Sequence, residues 1–279
     1  MIGFPPGLLG NAPLRIPLIH DAVDWIAIEK PAGVGVRKHP WDMGVPDMDT
    51  ALNNQLKVNK PELLRLNARV FGSIYYLEPE ASGVFLFAKN RESLARLRNQ
   101  VGSEELCFRF LFVAKTKKST EVRELTADVP LLSHKTKPKM IPSTAKGKKA
   151  KTHFRLLFES DLGWSLWEAS ASYIRPHQVR AHAAIHGIPI LGDMLYSGPE
   201  APQLNEFLPR KRKIPVDGAI FSGVALHLCE VSLPIASSGS AADRIRLLAD
   251  LPNDFQLMLK RMKLIEPGKS LFQSCGLSR

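Results

Sequence analysis

The sequence predicts an α+β fold built on a large mixed sheet, and three observations carry that prediction. Short apolar, aromatic-rich runs with the composition of strands recur along most of the chain. Amphipathic helical stretches stand among them with recognisable caps. The two kinds of segment follow no regular βαβ alternation, which argues against a doubly wound parallel sheet. No internal repeat is evident, and no shift of composition between residues 15 and 265 marks a domain boundary.

In order along the chain, Trp25-Ile26-Ala27-Ile28 reads as a buried strand that stops at the turn signal Lys30-Pro31-Ala32-Gly33. Residues 47–58 read as a helix, with Asp47 or Asp49 as its N-cap. Ile74–Leu77 and Val84–Ala88 have the aromatic and aliphatic content of strands. Asn90 is placed to cap a helix in which Leu94, Leu97 and Val101 recur at helical spacing. Phe108–Ala114, Thr152–Phe158, Ser165–Ser170 and Gly223–Leu233 are further expected strands. Pro176 suits the first position of a helix that ends before Gly187, and Asp254–Lys263 closes the pattern as an amphipathic helix.

Composition sets bounds on function. At 279 residues, 44% hydrophobic and 23% charged, the chain has the make-up of a soluble globular protein. Cys107, Cys229 and Cys275 lie far apart with no CxxC pair, which argues against a zinc ribbon or disulfide framework and suits a reducing cytoplasm. The apolar N-terminus is broken by Pro5, Pro6 and Pro13 and lacks a basic leader, unlike a signal peptide. No apolar run approaches the roughly 18–20 residues needed to span a bilayer. The net charge of +11 suits a polyanionic partner. Lys135, Lys137, Lys139, Lys146, Lys148, Lys149 and Lys151 crowd one stretch, and Arg210-Lys211-Arg212-Lys213 forms a second run. Such blocks sit in loops, where solvent or phosphates relieve their repulsion.

Two constellations point to chemistry. In Ser73-Ile74-Tyr75-Tyr76-Leu77-Glu78-Pro79-Glu80-Ala81-Ser82-Gly83, a carboxylate stands at a turn between two apolar runs. In Tyr173-Ile174-Arg175-Pro176-His177-Gln178-Val179-Arg180-Ala181-His182, two arginines and two histidines open a predicted helix. The first segment resembles the active-site motif His-Arg-Leu-Asp-x-x-Thr-Ser-Gly of the RluA family of RNA pseudouridine synthases, ending in Ala88-Lys89 as the family does. Glu78 stands at the catalytic Asp position, and Tyr75, Tyr76 and Ala81 replace the flanking His, Arg and Thr. The second resembles the family's Thr-Gly-Arg-Thr-His-Gln-Ile-Arg-Val-His, with Arg175, His177, Gln178, Arg180 and His182 matching. Gly187-Ile188-Pro189-Ile190-Leu191-Gly192-Asp193 with Tyr196 is similar to the next family segment. Glu29-Lys30-Pro31-Ala32-Gly33, Lys149–Phe154 and Leu226-His227-Leu228 resemble three others.

The resemblance covers residues 18 to 263 and implies the pseudouridine synthase catalytic fold: a large, mostly antiparallel mixed sheet with flanking helices and loops around a basic cleft. It assigns residues 1–17 to an N-terminal extension and 18–279 to the catalytic domain, without an accessory N-terminal RNA-binding domain. It implies isomerisation of uridine to pseudouridine in ribosomal or transfer RNA by a cytoplasmic monomer, with no cofactor and no metal. In that frame Glu78 is the catalytic carboxylate, Arg175 its partner and Phe110 the ring under the base. Tyr76, Lys135, Lys137, Lys139, Lys148, His177, Gln178, Arg180 and Leu226 fall to substrate and RNA binding. Glu78 keeps the charge of Asp but moves it by about one carbon–carbon bond, and misplacement of about 1 Å can cost on the order of a hundredfold in rate. Two readings therefore stand: an active synthase using Glu78, or a non-catalytic RNA-binding protein on the same fold. His182 and His186 have the i, i+4 spacing of a zinc pair, but no acidic or cysteine ligand accompanies them.

Overall fold

A computed structural model describes residues 1–41, 44–116, 123–207, 218–235 and 243–265. Its first strands are β1 (Ile2–Phe4), β2 (Leu14–Ile16), β3 (Leu18–Asp21), β4 (Trp25–Lys30), β5 (Gly72–Ser73), β6 (Ser82–Ala88) and β7 (Cys107–Lys115). They are followed by β8 (Glu124–Asp128), β9 (Leu131–Ser133), β10 (Met140–Pro142), β11 (Lys151–Glu159), β12 (Trp164–Ala171), β13 (Leu226–Pro234) and β14 (Arg244–Leu248). The α-helices are α1 (Met48–Lys57), α2 (Pro61–Leu64), α3 (Arg91–Gly102), α4 (Gln178–Ile185) and α5 (Asn253–Arg261). The chain forms two compact units. One comprises Met1–Arg109, Ala171–Pro176 and Leu228–Asp250; the other comprises Phe110–Ser170, His177–His227 and Leu251–Arg279.

In the first unit the strands run in the order β3-β4-β6-β13, with β14 on β13 and β5 on β6. β4 and β6 pair antiparallel from Trp25 opposite Ala88 to Lys30 opposite Gly83. Every residue of β6 is buried, which is why Ser82–Ala88 reads as a continuous apolar run rather than an alternating one. Two helices cover this framework, and their starts are set by side chains. Asp47 accepts from the Thr50 amide and Asn90 from the Ser93 amide, each at 2.8 Å. Helix α1 buries Met48, Ala51, Leu52 and Gln55, one face at helical spacing. The β1–β2 hairpin buries Ile2, Phe4 and Ile16, and Lys60 donates to the Gly3 carbonyl.

In the second unit the order is β7-β12-β11-β8, with the β9–β10 hairpin as a separate two-stranded sheet. Helix α4 ends as expected before Gly187, whose φ of 76° turns the chain so that the Ile188 amide reaches the Ala183 carbonyl at 2.9 Å. Arg210–Lys213 and Cys275 lie outside the described residues.

Three expectations need correction. Ile74–Leu77 is not a strand: pairing stops after the Ile74 amide meets the Leu86 carbonyl, and the Tyr75 hydroxyl then takes the Val84 carbonyl at 2.7 Å. A side chain has replaced the ladder. Helix α4 starts at Gln178, two residues past Pro176, because His177 is left-handed at φ 53° and cannot be a helical residue. The last long strand begins at Leu226 rather than Gly223. Gly223 has φ 93°, and its carbonyl lies 1.9 Å from where a Cβ on Gly192 would sit, so two glycines permit a close backbone approach there.

Candidate active site

Glu78 lies in the first unit on a loop fastened from three sides. It is 5% exposed, and its carbonyl accepts from the Ala81 amide at 3.2 Å, closing a turn with Pro79 at its second position. Beneath the turn is the ammonium of Lys30, at the end of β4 and 1% exposed. Its three donors meet the carbonyls of Pro31 at 2.9 Å, Pro79 at 3.2 Å and Ala81 at 2.5 Å. The Gly33 amide adds a bond to the Pro79 carbonyl at 2.7 Å. On the third side Gly83 has φ 128°, and a Cβ there would stand 2.1 Å from the Leu228 carbonyl of β13. Only glycine fits. The Lys-Pro-Ala-Gly segment and the Ser-Gly pair therefore act together, one as clamp and the other as close-packed hinge for the carboxylate loop.

The two tyrosines that flank this motif have turned inward. Tyr75 is 3% exposed, with its ring edge-on to Phe85 at 4.8 Å and Phe108 at 5.0 Å. Burial pushes its phenol well above the usual range. It is a core residue. Tyr76 is 4% exposed and lies under the His39 imidazole at 4.8 Å, with the Arg37 guanidinium 5.8 Å from its ring centre. Its ring is packed against these neighbours.

Arg175 belongs to the same unit as Glu78. It is half-buried, with its guanidinium 4.8 Å over the Tyr173 ring, a cation–π contact that fixes the plane of its donor fork.

The remaining motif residues sit in the second unit, where they form a polar core. Arg180 is 2% exposed and grips Asp193 with two parallel bonds of 2.7 Å. A third contact, from Nη1 to His177 Nε2 at 3.2 Å, requires that nitrogen to accept, so the imidazole is neutral and carries its proton on Nδ1. That proton faces the Tyr196 oxygen at 3.2 Å, which also accepts from the Met140 amide at 2.7 Å. The left-handed backbone at His177 aims the ring into this chain of contacts. Gln178, 1% exposed, donates to the Lys151 carbonyl and the Thr152 hydroxyl. Both ring nitrogens of His182 are engaged, Nδ1 by Thr152 and Nε2 by the Val129 carbonyl, each at 2.9 Å. Burial lowers its pKa from the ordinary 6.5, so it stays neutral. Phe110 and Leu226 are buried at 3% and 1% exposure.

Of the basic residues, Lys135, Lys137 and Lys148 are exposed. Lys139 extends over the Tyr196 ring, 6.0 Å from its centre. The β9–β10 loop that carries three of these lysines is shaped by His134, whose Nδ1 accepts from the amides of Thr136 and Lys137.

Sequence reading placed Glu78 and Arg175 in the site but gave no role to Lys30, Arg37 or His39. Lys30 is visible in the Lys-Pro-Ala-Gly turn, but the carbonyls its ammonium meets at positions 79 and 81 lie some fifty residues on. For Arg37 and His39 the only hint was the basic–aromatic run that follows.

A family model described as RNA pseudouridylate synthase matches residues 24–185. An uncharacterized RNA pseudouridine synthase of Synechocystis is 30% identical over 254 residues, covering 89% of this chain and 69% of that protein. Ribosomal large subunit pseudouridine synthase D of Haemophilus influenzae is 26% identical over 256 residues, covering 91% and 72%. Among solved structures, human RNA pseudouridylate synthase domain containing 4 superposes with a TM-score of 0.65 over 90% of this chain and 94% of that one, at 20% identity. The α+β fold, the ordered motifs and these matches agree: the chain belongs to the RNA pseudouridylate synthase family, in its RluA-like branch.

Proposed function

We propose that the protein isomerises uridine to pseudouridine in ribosomal RNA, with Glu78 as the carboxylate that starts the reaction. One observation carries this reading: Glu78 is a buried acid on a loop held by a buried ammonium, a glycine amide and a glycine-only contact. A loop Glu without a task needs no such support. Chemically, the carboxylate assists departure of the base from C1′ of the ribose. The base turns, a C5–C1′ bond replaces the N1–C1′ bond, and the proton released from C5 is balanced by one gained at N1. Arg175, pinned over Tyr173, is the group suited to keep Glu78 ionised and directed, because a guanidinium meets a carboxylate through a two-pronged fork. The named ribosomal relative supports ribosomal RNA as substrate. The lysines of the β9–β10 loop and Lys148 are the phosphate contacts of this reading. Three cysteines spread along the chain with no CxxC pair support work in a reducing cytoplasm.

A second reading has one specific observation in its favour. The residues at the motif's His and Arg positions, Tyr75 and Tyr76, are engaged in packing, which fits a protein that kept RNA binding and lost the reaction. Nucleoside mass spectrometry on unmodified ribosomal and transfer RNA incubated with wild type, Glu78→Gln and Glu78→Asp separates the two. Product from the wild type and none from Glu78→Gln supports catalysis by Glu78. RNA bound without product from wild type supports the binding reading.

A further inference from the structure

The residues around Tyr76 form a cluster that the carboxylate chemistry does not use. Trp41 and His39 are half-buried, and their rings meet edge-on at 4.9 Å. His39 in turn lies tilted by 37° on Tyr76, so three rings follow one another from the surface toward the base of the Glu78 loop. The Trp41 amide donates to His39 Nδ1 at 3.3 Å, which ties the imidazole to the backbone two residues on. Tyr76 is two residues before Glu78, and two residues of chain span at most about 7 Å.

A guanidinium stands beside these rings. Arg37 has Arg98, Asp49, Tyr76 and Tyr173 as its electrostatic neighbours. Asp49 is the carboxylate among them, and Asp47 stands close enough to act on it. Asp49 is already engaged by the Ser73 amide at 2.8 Å and the Ser73 hydroxyl at 2.9 Å, and Arg98 donates twice to the Ser73 carbonyl. Burial and the Arg98 charge push the Arg37 guanidinium below its ordinary value.

We propose that Arg37, His39 and Trp41 form a subsite for the RNA nucleotide flanking the target uridine, with an unpaired base stacked on the Trp41 ring, the edge-on His39 bracing that ring, and its phosphate met by Arg37. Aromatic faces beside a half-buried cation are the combination that captures single-stranded nucleic acid. The motif's missing Arg gives the arrangement its context: Tyr76 supports the cluster from beneath, and Arg37 brings a guanidinium to its ring from a different segment. RNA binding at the cluster stands independently of the catalytic reading. Only its position next to the reacting base rests on Glu78 being the working carboxylate.

The test is equilibrium binding of a fluorescently labelled single-stranded oligoribonucleotide with one central uridine, followed by anisotropy on the full chain. Stacking of one base contributes about 1–3 kcal/mol, so Trp41→Ala should weaken binding by about 5- to 150-fold and His39→Ala by a smaller factor, while Trp41→Phe stays close to wild type. Arg37→Gln should also flatten the dependence of affinity on salt by about one counterion. Wild type supplies a control that no folding defect can confound: probes with an abasic residue at each position in turn should show one flanking position where affinity falls similarly. Equal binding of all abasic probes, or wild-type affinity in both alanine variants, overturns the proposal. Product formation in the same samples reports on Glu78 separately, so a wild type that binds with this pattern and makes no pseudouridine refutes the catalytic reading alone.

Discussion

Replacing Lys30 with Met tests whether the buried ammonium positions the carboxylate loop. Met matches the length of the lysine stem and removes all three donors. The Pro79 carbonyl keeps its bond from Gly33, so the loss falls mainly on the carbonyls of Pro31 and Ala81. A buried acceptor deprived of its donor costs about 1–3 kcal/mol, giving a gross loss of roughly 2–6 kcal/mol for two. Removing a buried charge offsets several kcal/mol of desolvation, so the net destabilisation is expected near 2 kcal/mol. For a chain of this size that lowers Tm by only about 4–8 °C. Activity should respond far more. If release of the Ala81 carbonyl lets the turn drift by about 1 Å, the rate of pseudouridine formation falls on the order of a hundredfold.

Three measurements check this. Thermal melting and single-turnover rates at 25 °C are compared for wild type, Lys30→Met and Lys30→Arg, and amide hydrogen exchange is followed over residues 79–83. The expected pattern is a modest fall in Tm, a disproportionate fall in rate and faster exchange of the Ala81 amide, whose partner is the Glu78 carbonyl. A Lys30→Met protein that melts several degrees lower yet keeps both wild-type exchange at Ala81 and the wild-type rate would refute the clamp.

Two further outcomes follow from the buried ion pairs. Arg180→Met strands Asp193, which is 1% exposed, and should destabilise by about 3–5 kcal/mol. Adding Asp193→Leu should recover much of that in a thermal melt, since replacing both members of a buried pair is often near neutral. Glu230 gives a pH signature: burial raises its pKa, but the hydrogen bonds and charges of Arg246 and Arg109 outweigh that and hold it below the ordinary 4.5. A lowered carboxylate pKa stabilises the fold above 4.5, and that contribution is lost as pH falls through the depressed value. The stability gap between wild type and Glu230→Gln should therefore be flat from neutral pH down to about 5 and narrow below 4.5 in urea titrations.

Local signals were the legible ones. Asp47 and Asn90 cap helices because short side-chain acceptors satisfy amides three residues on, a rule that needs no tertiary information. Gly187 ends α4 for an equally local reason. The errors occur where tertiary partners decide. Ile74–Leu77 has strand composition, yet Tyr75 turns its hydroxyl onto the Val84 carbonyl, and sequence cannot say that a phenol will replace an amide. A local reading also leaves out what Arg180 is bonded to. Its partner, Asp193, is thirteen residues away across a helix end. The two compact units were invisible for a related reason: each is assembled from separated stretches of chain, so no linker divides them.

The restraints on the Glu78 loop also bear on the change from Asp to Glu. An added methylene moves the carboxylate by about 1.5 Å along the side chain, and a loose loop could absorb that by retreating. This loop has little room to retreat. Backing away would break bonds from Lys30 and Gly33 on one side, while Gly83 already sits where even a Cβ would strike Leu228 on the other. Accommodation must then come from the side chain's own torsions or from the seating of the RNA. Comparing Glu78→Asp with wild type thus reports side-chain reach on a fixed backbone. A faster Asp variant would mean that the frame still fits the family's shorter acid. A slower one would mean that substrate contacts around the loop, the Arg37–Trp41 cluster among them, have adjusted to the longer side chain.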